Sequence, residues 1–347
     1  MAALTTFRLT TPPVSGVLRP RLIAVCLVLA AVGFFLFCLG MTVGDYPLGV
    51  GQVVAALVSE GDYYDQVVVY DWRMPRALVG LLVGIAFGMA GALFQTITRN
   101  PLASPDVIGI SAGATTAVVA GIVLGFGTGL GTQALGLIGG LGAALLIYLL
   151  AWRRGTTGYR IVLVGIGVSW MCVSATGYLL ARAKLHEAQA VVGWMVGNLN
   201  DATWSHVGPL LVSMAVLVPA AVVLGGWLRT LSLGDDVAVG LGTPVQLARL
   251  VLLLTGVGLV AFGTAAAGPV AFVALAAPQI AKRLVGSPVP PLVASAFTGA
   301  VVVLGGDLIA RSILPDTQLP VGVVTGALGA PFLLWLLTRA NRAGSGG

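Results

Sequence analysis

"RNPLASPDVIGISAGA" occupies residues 99–114 and separates two long apolar runs. Proline lacks a backbone donor, clashes with the preceding turn and restricts the residue before it. Pro101 and Pro105 therefore stop the arriving helix and stiffen a short turn. Arg99 and Asn100 stand where side chains could cap the carbonyls left free at that helix end. Asp106 stands near the start of the next helix, where a carboxylate suits the positive end of the dipole. The stretch reads as a rigid hairpin between two helices, and the rest of the chain says what kind of helices they are.

Of the 347 residues, 58% are hydrophobic and 9% are charged, and mean hydropathy is +1.01. A soluble domain carries about 25% charged residues. So few charges cannot cover a water-facing surface, and the chain reads as an integral membrane protein. The net charge of +6 comes from basic residues at the ends of apolar runs, which suits membrane surfaces rather than nucleic acid. Cys26, Cys38 and Cys172 lie inside apolar runs without C-x-x-C spacing and read as small buried residues. His186 and His206 do not suffice for a metal site, which generally needs about four ligands. No metal site and no catalytic residue is expected.

A charge-free run of about 20 residues crosses the hydrocarbon core. Spans are expected near 22–41, 77–97, 107–124, 133–152, 161–181, 207–228, 250–266, 270–284, 292–309 and 320–338. Between Asp106 and Arg153 lie 46 uncharged residues, which "GFGTGLGT" (125–132) divides into two helices. "GTAAAGPV" (263–270) divides the segment after Arg249 in the same way. The eighth span is short and holds Pro278, so it is expected to be tilted or broken. No small-residue cleavage site follows the first apolar run, so an uncleaved first span is expected. The organisation is an N-terminal segment (1–21), one ten-helix domain (22–338) and a tail (339–347).

Alternating the loops puts Arg8, Arg19, Arg21, Arg99, Arg153, Arg154, Arg160, Arg229, Arg249, Lys282, Arg283, Arg339 and Arg342 on one side. Arg73, Arg76, Arg182, Lys184 and Arg311 fall on the other. The positive-inside rule then expects both termini in the cytoplasm of a bacterial inner-membrane protein.

No Asp, Glu, Lys or Arg sits deep within a span. An ion-coupled secondary transporter usually keeps ionisable groups near the midplane, so that class is disfavoured. A membrane enzyme is disfavoured because no cluster of His, Cys or acidic residues is present. The spans offer small polar residues instead, and Ser111, Thr115, Ser169 and Thr325 are candidates for lining a path that binds its cargo weakly. Many others, with Gly84-x-x-x-Gly88, suit helix packing. The two lysines follow Ala183 and Ala281, so no P-loop Gly-Lys exists and any ATPase must be a separate subunit.

Five motifs then stand in order: "WRMPR" (72–76), the opening stretch, "GDDVAVGLG" (234–242), "AGPVAFVALAAPQIAKRL" (267–284) and "LPVGVVTGALGAPFLLWLL" (319–337). Together they resemble the FecCD family of permease subunits of bacterial ABC importers for iron–siderophores, haem and cobalamin. With "LAWRRG" and "GDD", the stretch "RNPLASPDVIG" looks most like the ferric-enterobactin type. The resemblance implies an all-α type II importer fold with spans 2–5 and 7–10 as inverted halves. It implies a dimer around a central path, here with a related permease rather than a second copy. It further implies two cytoplasmic ATPases holding ATP and Mg, an extracytoplasmic binding protein, and ferric siderophore as cargo. No cofactor is expected on this chain. Haem or cobalamin import is the nearest alternative.

The resemblance also assigns roles. Arg73, Arg76 and Arg311 match arginines that receive acidic side chains of the binding protein; pairing with Asp71 and Asp307 is the plain alternative. Within residues 229–249, Gly234, Asp235, Asp236, Ala238, Gly240, Leu241 and Gly242 match the coupling loop that enters a cleft of the ATPase. Gly158 and Tyr159 fall at the cytoplasmic gate, where some members carry small hydroxyl residues instead. The hairpin of Arg99, Asn100, Pro101, Pro105 and Asp106 is expected to be structural first, with a part in the inner gate or the ATPase contact.

Overall fold

Helices stand at all ten apolar runs in the structure, a computed structural model that describes residues 5–10, 13–152, 158–314 and 318–344. The first span is α1 (Pro20–Thr42). Two short helices follow, α2 (Val50–Leu57) and α3 (Tyr63–Val67), and a π-helical turn (Val68–Arg73) runs straight into α4 (Met74–Thr98). Pro75, which has no N–H to donate, falls where the π-helical turn gives way to α4. The hairpin leads through α5 (Pro105–Ile108) into α6 (Ile110–Val123). The next helices are α7 (Gly127–Ala151), broken at Gly131, and α8 (Gly158–Arg182). A short α9 (Leu185–Met195) precedes α10 (Trp204–Val223). The loop helices α11 (Gly225–Ser232) and α12 (Asp235–Gly240) come next. The second half is α13 (Val245–Ala267), α14 (Val273–Val285), α15 (Leu292–Ser312) and α16 (Val321–Gly344). Among the described residues, seven helices are long and apolar enough to cross a membrane, and Ile110–Val123 and Val321–Trp335 are shorter apolar stretches.

Two differences from the sequence reading stand out. The N-terminal segment holds an antiparallel hairpin, β1 (Thr5–Thr10) with β2 (Pro13–Leu18), Thr5 opposite Leu18. The eighth span, expected to be tilted or broken because it holds Pro278, is unbroken at that residue. Gly268 and Phe272 adopt positive φ angles of 70° and 66°, which breaks the chain between α13 and α14, while α14 runs unbroken through Pro278. A phenylalanine in the left-handed region is strained by about 1–2 kcal/mol, so packing must hold it there. Its ring lies against Gly329 of α16.

That packing has a counterpart in the first half. Gly109, left-handed at the α5–α6 break, lies against Gly165 and Ser169 of α8. Each half thus opens its second span with a break seated on its fourth span. The long contacts repeat as well: α4 packs on α15 as α13 packs on α7, and α4 meets α13 directly. Gly84 and Gly88 lie against Gly299, Ala300 and Ser295, while Gly136 and Gly140 lie against Ala265 and Ala261. Small residues let these backbones approach in an apolar solvent that gives no hydrophobic drive. These pairs are the expected inverted halves. α4 and α13 form the centre, with 78% and 72% of their apolar windows buried against 22% for α8. Phe87, Leu93 and Phe94 fill the space around them.

Candidate functional site: two charged clamps and the loop helix

α4 ends at Thr98 because Arg99 turns left-handed at φ 52°. The backbone N–H groups of Arg99 and Asn100 then donate to Thr96 O and Gln95 O. The backbone, and not the side chains expected for the purpose, closes the helix end. Asn100 Oδ1 instead accepts from Leu102 N at 2.9 Å. Pro101 sits in the turn and Pro105 opens α5. Asp106 accepts a hydrogen bond from Ser111 Oγ at 2.6 Å, which bridges the break at Gly109.

Freed from capping, the Arg99 side chain crosses to the loop after α11. Its Nε donates to Leu231 O at 3.3 Å and its Nη2 to Asp235 Oδ1. Arg249 in the second turn of α13 grips the same carboxylate, with Nη2 at 3.0 Å and 2.9 Å from its two oxygens. Desolvation pushes the Asp235 carboxyl up, but Arg249 and Arg99 outweigh it and hold it below the usual range. One carboxylate therefore ties α12 to the C-terminal end of α4 and the N-terminal end of α13, the lead helices of the two halves. Arg249 escaped the motif reading. It is the only charged residue in α13, a signal that could have marked it.

Between Gly234 (φ 118°) and Gly242 (φ 78°), α12 is a single short helix. Ala238 is fully buried and is its anchor, while Val237, Val239 and Leu241 are exposed. Asp236 and Gly240 lie on the exposed side too. Beside the loop, Gln279 Nε2 donates to Gln95 Oε1 at 2.6 Å, and Gln95 Nε2 donates to Leu275 O at 3.0 Å. This buried amide pair ties α14 to α4.

The opposite ends of the helices carry a second clamp. Arg76 donates to Asp307 through Nε at 3.0 Å and Nη2 at 2.8 Å. Arg311 Nη2 lies 2.7 Å from the other oxygen of Asp307. Gln318 extends the set, accepting from Arg76 Nη1 at 2.7 Å and donating to Asp45 at 3.1 Å. Arg311 Nη1 also donates to Gly40 O and Val43 O, and Arg73 donates to Met41 O and Tyr46 O. All three arginines are thereby committed to internal partners, and Arg73 and Arg76 are only 6% and 7% exposed. Asp307, the alternative partner read from the sequence, takes two of them.

Gly158 opens α8 and Tyr159 is exposed in its first turn; the preceding loop, 153–157, lies outside the described residues. Ser111, Thr115 and Thr325 are buried, and the last two donate to backbone carbonyls of their own helices. Ser169 lies partly buried against Gly109. Among the described residues no group of His, Cys, Asp and Glu is arranged to hold a metal ion.

Residues 29–339 match the model of the FecCD transport family. The ferric enterobactin transport system permease protein FepG of Escherichia coli (strain K12) is 41% identical over 93% of this chain and 98% of its own length. The iron(3+)-hydroxamate import system permease protein FhuG of Bacillus subtilis (strain 168) is 34% identical over 91% of this chain and 98% of its own. Among solved structures, an inward-facing putative metal-chelate type ABC transporter superposes with a TM-score of 0.79 at 26% identity, covering 91% of this chain and 99% of that one.

Proposed function

The chain is a member of the FecCD transport family, and from that premise we infer that it is the permease subunit through which an ABC importer moves ferric siderophores into the cytoplasm by alternating access. The observation that carries the mechanism is the inner clamp. α12 presents Val237, Val239 and Leu241 outward while Asp235 fastens it to both α4 and α13. A push on α12 is thus delivered to the lead helix of each half. An ATPase cleft closing on that apolar surface supplies the push, with ATP and Mg held by the two ATPase subunits. The basic residues gathered on the α12 side support placing that face and both termini in the cytoplasm.

On the outer face, Arg73, Arg76 and Arg311 stand against Asp307 and Asp45. The excess of cation favours an acidic surface on the binding protein, which docks there and exchanges partners with the clamp. A second permease, a related paralogue, completes the path along the little-covered α8, with Gly158 and Tyr159 at its cytoplasmic end. Siderophore cargo is supported by the relatives' names, FepG and FhuG.

The test is uptake of radio-iron, presented as several ferric siderophores, in cells with and without the gene. Loss for one siderophore type, restored by the gene, is the expected result. Unchanged uptake of every type in cells lacking other importers overturns the cargo and redirects the search to haem and cobalamin.

A further inference from the structure

A cavity of about 600 Å³ opens beside α11, between the ends of four other helices. Its apolar wall comes from Leu22 and Ile23 in the first turn of α1, Val222 at the end of α10, Leu228, and Leu292 and Val293 at the start of α15. These are helix ends that enter the hydrocarbon. Its polar rim is Arg19, Arg229 and Ser287, which lie just outside those helix ends or on the loop helix. "SPVPP" (287–291) forms one edge, and its prolines make that edge stiff. Among the described residues, no carboxylate lines the cavity. The side chains of Arg19 and Arg229 have no hydrogen-bond or ion-pair partner among the described residues, and both are exposed.

A space that is apolar toward the membrane core and doubly cationic at its mouth matches one class of molecule present at that depth. We propose that this cavity is a binding site for an anionic phospholipid of the inner leaflet. Its phosphate meets Arg19 and Arg229, and an acyl chain lies along Leu22, Ile23, Leu292 and Val293. Basic pockets between membrane helices on the cytoplasmic side are suited to such headgroups. Arg21 adds positive potential nearby, held in place by its bond from Nε to Leu284 O at 2.9 Å. α11 forms one wall and leads into α12 through Gly234. A lipid seated there braces the base of the loop that the inner clamp controls. The proposal rests on the chain spanning a membrane and is independent of the cargo.

The test uses the complete transporter, purified and exchanged through mixed micelles containing phosphatidylglycerol and phosphatidylcholine. Tightly held lipid is then counted by mass spectrometry. Each basic residue near the surface changes partitioning roughly fivefold, so Arg19→Gln/Arg229→Gln should lose phosphatidylglycerol by about thirtyfold. Arg19→Lys/Arg229→Lys should retain most of it and so show that the fold survives substitution there. Arg182→Gln, at the far end of α8, should retain all of it. Equal retention in the Gln double variant overturns the proposal. So does retention without preference over phosphatidylcholine, or displacement of the lipid by inorganic phosphate.

Discussion

Arg76 and Arg99 stand near opposite ends of α4, and each closes on an aspartate that a second arginine also holds. The two clamps differ in burial. Asp307 and both its arginines have side chains under 10% exposed, whereas Asp235 and Arg99 are 43% and 47% exposed. The Asp307 clamp is therefore a stability element. The Asp235 clamp is half-exposed at two of its three members, and only its Arg249 side chain is buried, at 4% exposed.

Asp307→Asn strands two buried guanidiniums against each other. Breaking a buried pair by removing one partner costs about 3–5 kcal/mol, so this variant should fail to accumulate in the membrane or melt well below wild type. Arg76→Met leaves Asp307 paired with Arg311 and should cost less. A thermal melt of the purified transporter checks the order, and equal melting of the two variants contradicts it.

Asp235→Asn should cost less stability than Asp307→Asn: the half-exposed pair with Arg99 contributes about 0–1 kcal/mol, but the buried Arg249 guanidinium loses its counter-charge, so the melt should fall by an intermediate amount. Import should also fall while the ATPase stays bound, because α12 loses its grip on α4 and α13. The pH sign follows from the depressed carboxyl. A folded-state value below the unfolded one gives a contribution fully present above the unfolded value and lost as pH falls through the folded one. The clamp therefore holds throughout about pH 5–8. Import by wild type measured across that window at constant ATP should show no step that Asp235→Asn removes.

Gly84→Ala tests the helix interface. A methyl group there would lie 2.6 Å from Ala300 Cα and Gly299 O, so α4 and α15 must separate. Overpacking of this kind costs about 1–3 kcal/mol. Gly142→Ala, with nothing within 4 Å of the added carbon, should melt like wild type. A melting temperature lowered equally by both would refute the packing account.

Val239→Glu and Leu241→Asp change side chains that are 63% and 60% exposed. The permease should fold and reach the membrane, but pull-down of the ATPase from detergent should fail. Ala238→Leu acts differently, because Ala238 has no free surface; there the loop itself should be displaced and the melt lowered.

The sequence by itself determined the order of the apolar helices, because crossing hydrocarbon requires apolar runs of a set length and charges mark their ends. It also placed the hairpin at Pro101 and Pro105, since proline acts through local backbone geometry. It placed the split before the eighth span at residues 263–270, where Gly268 lies, but could not show that Phe272 turns left-handed while the helix runs on through Pro278. A left-handed phenylalanine is unfavourable locally and exists only because Gly329 leaves room for its ring. Nor could it join Arg99 to Asp235, 136 residues away; for Arg76 it offered Asp307 only as an alternative, and the fold decided for it across 231 residues. Ion pairs at such separations depend on which helix ends the fold brings together. That is decided by close packing of α4 with α13 and α15, which no local pattern specifies.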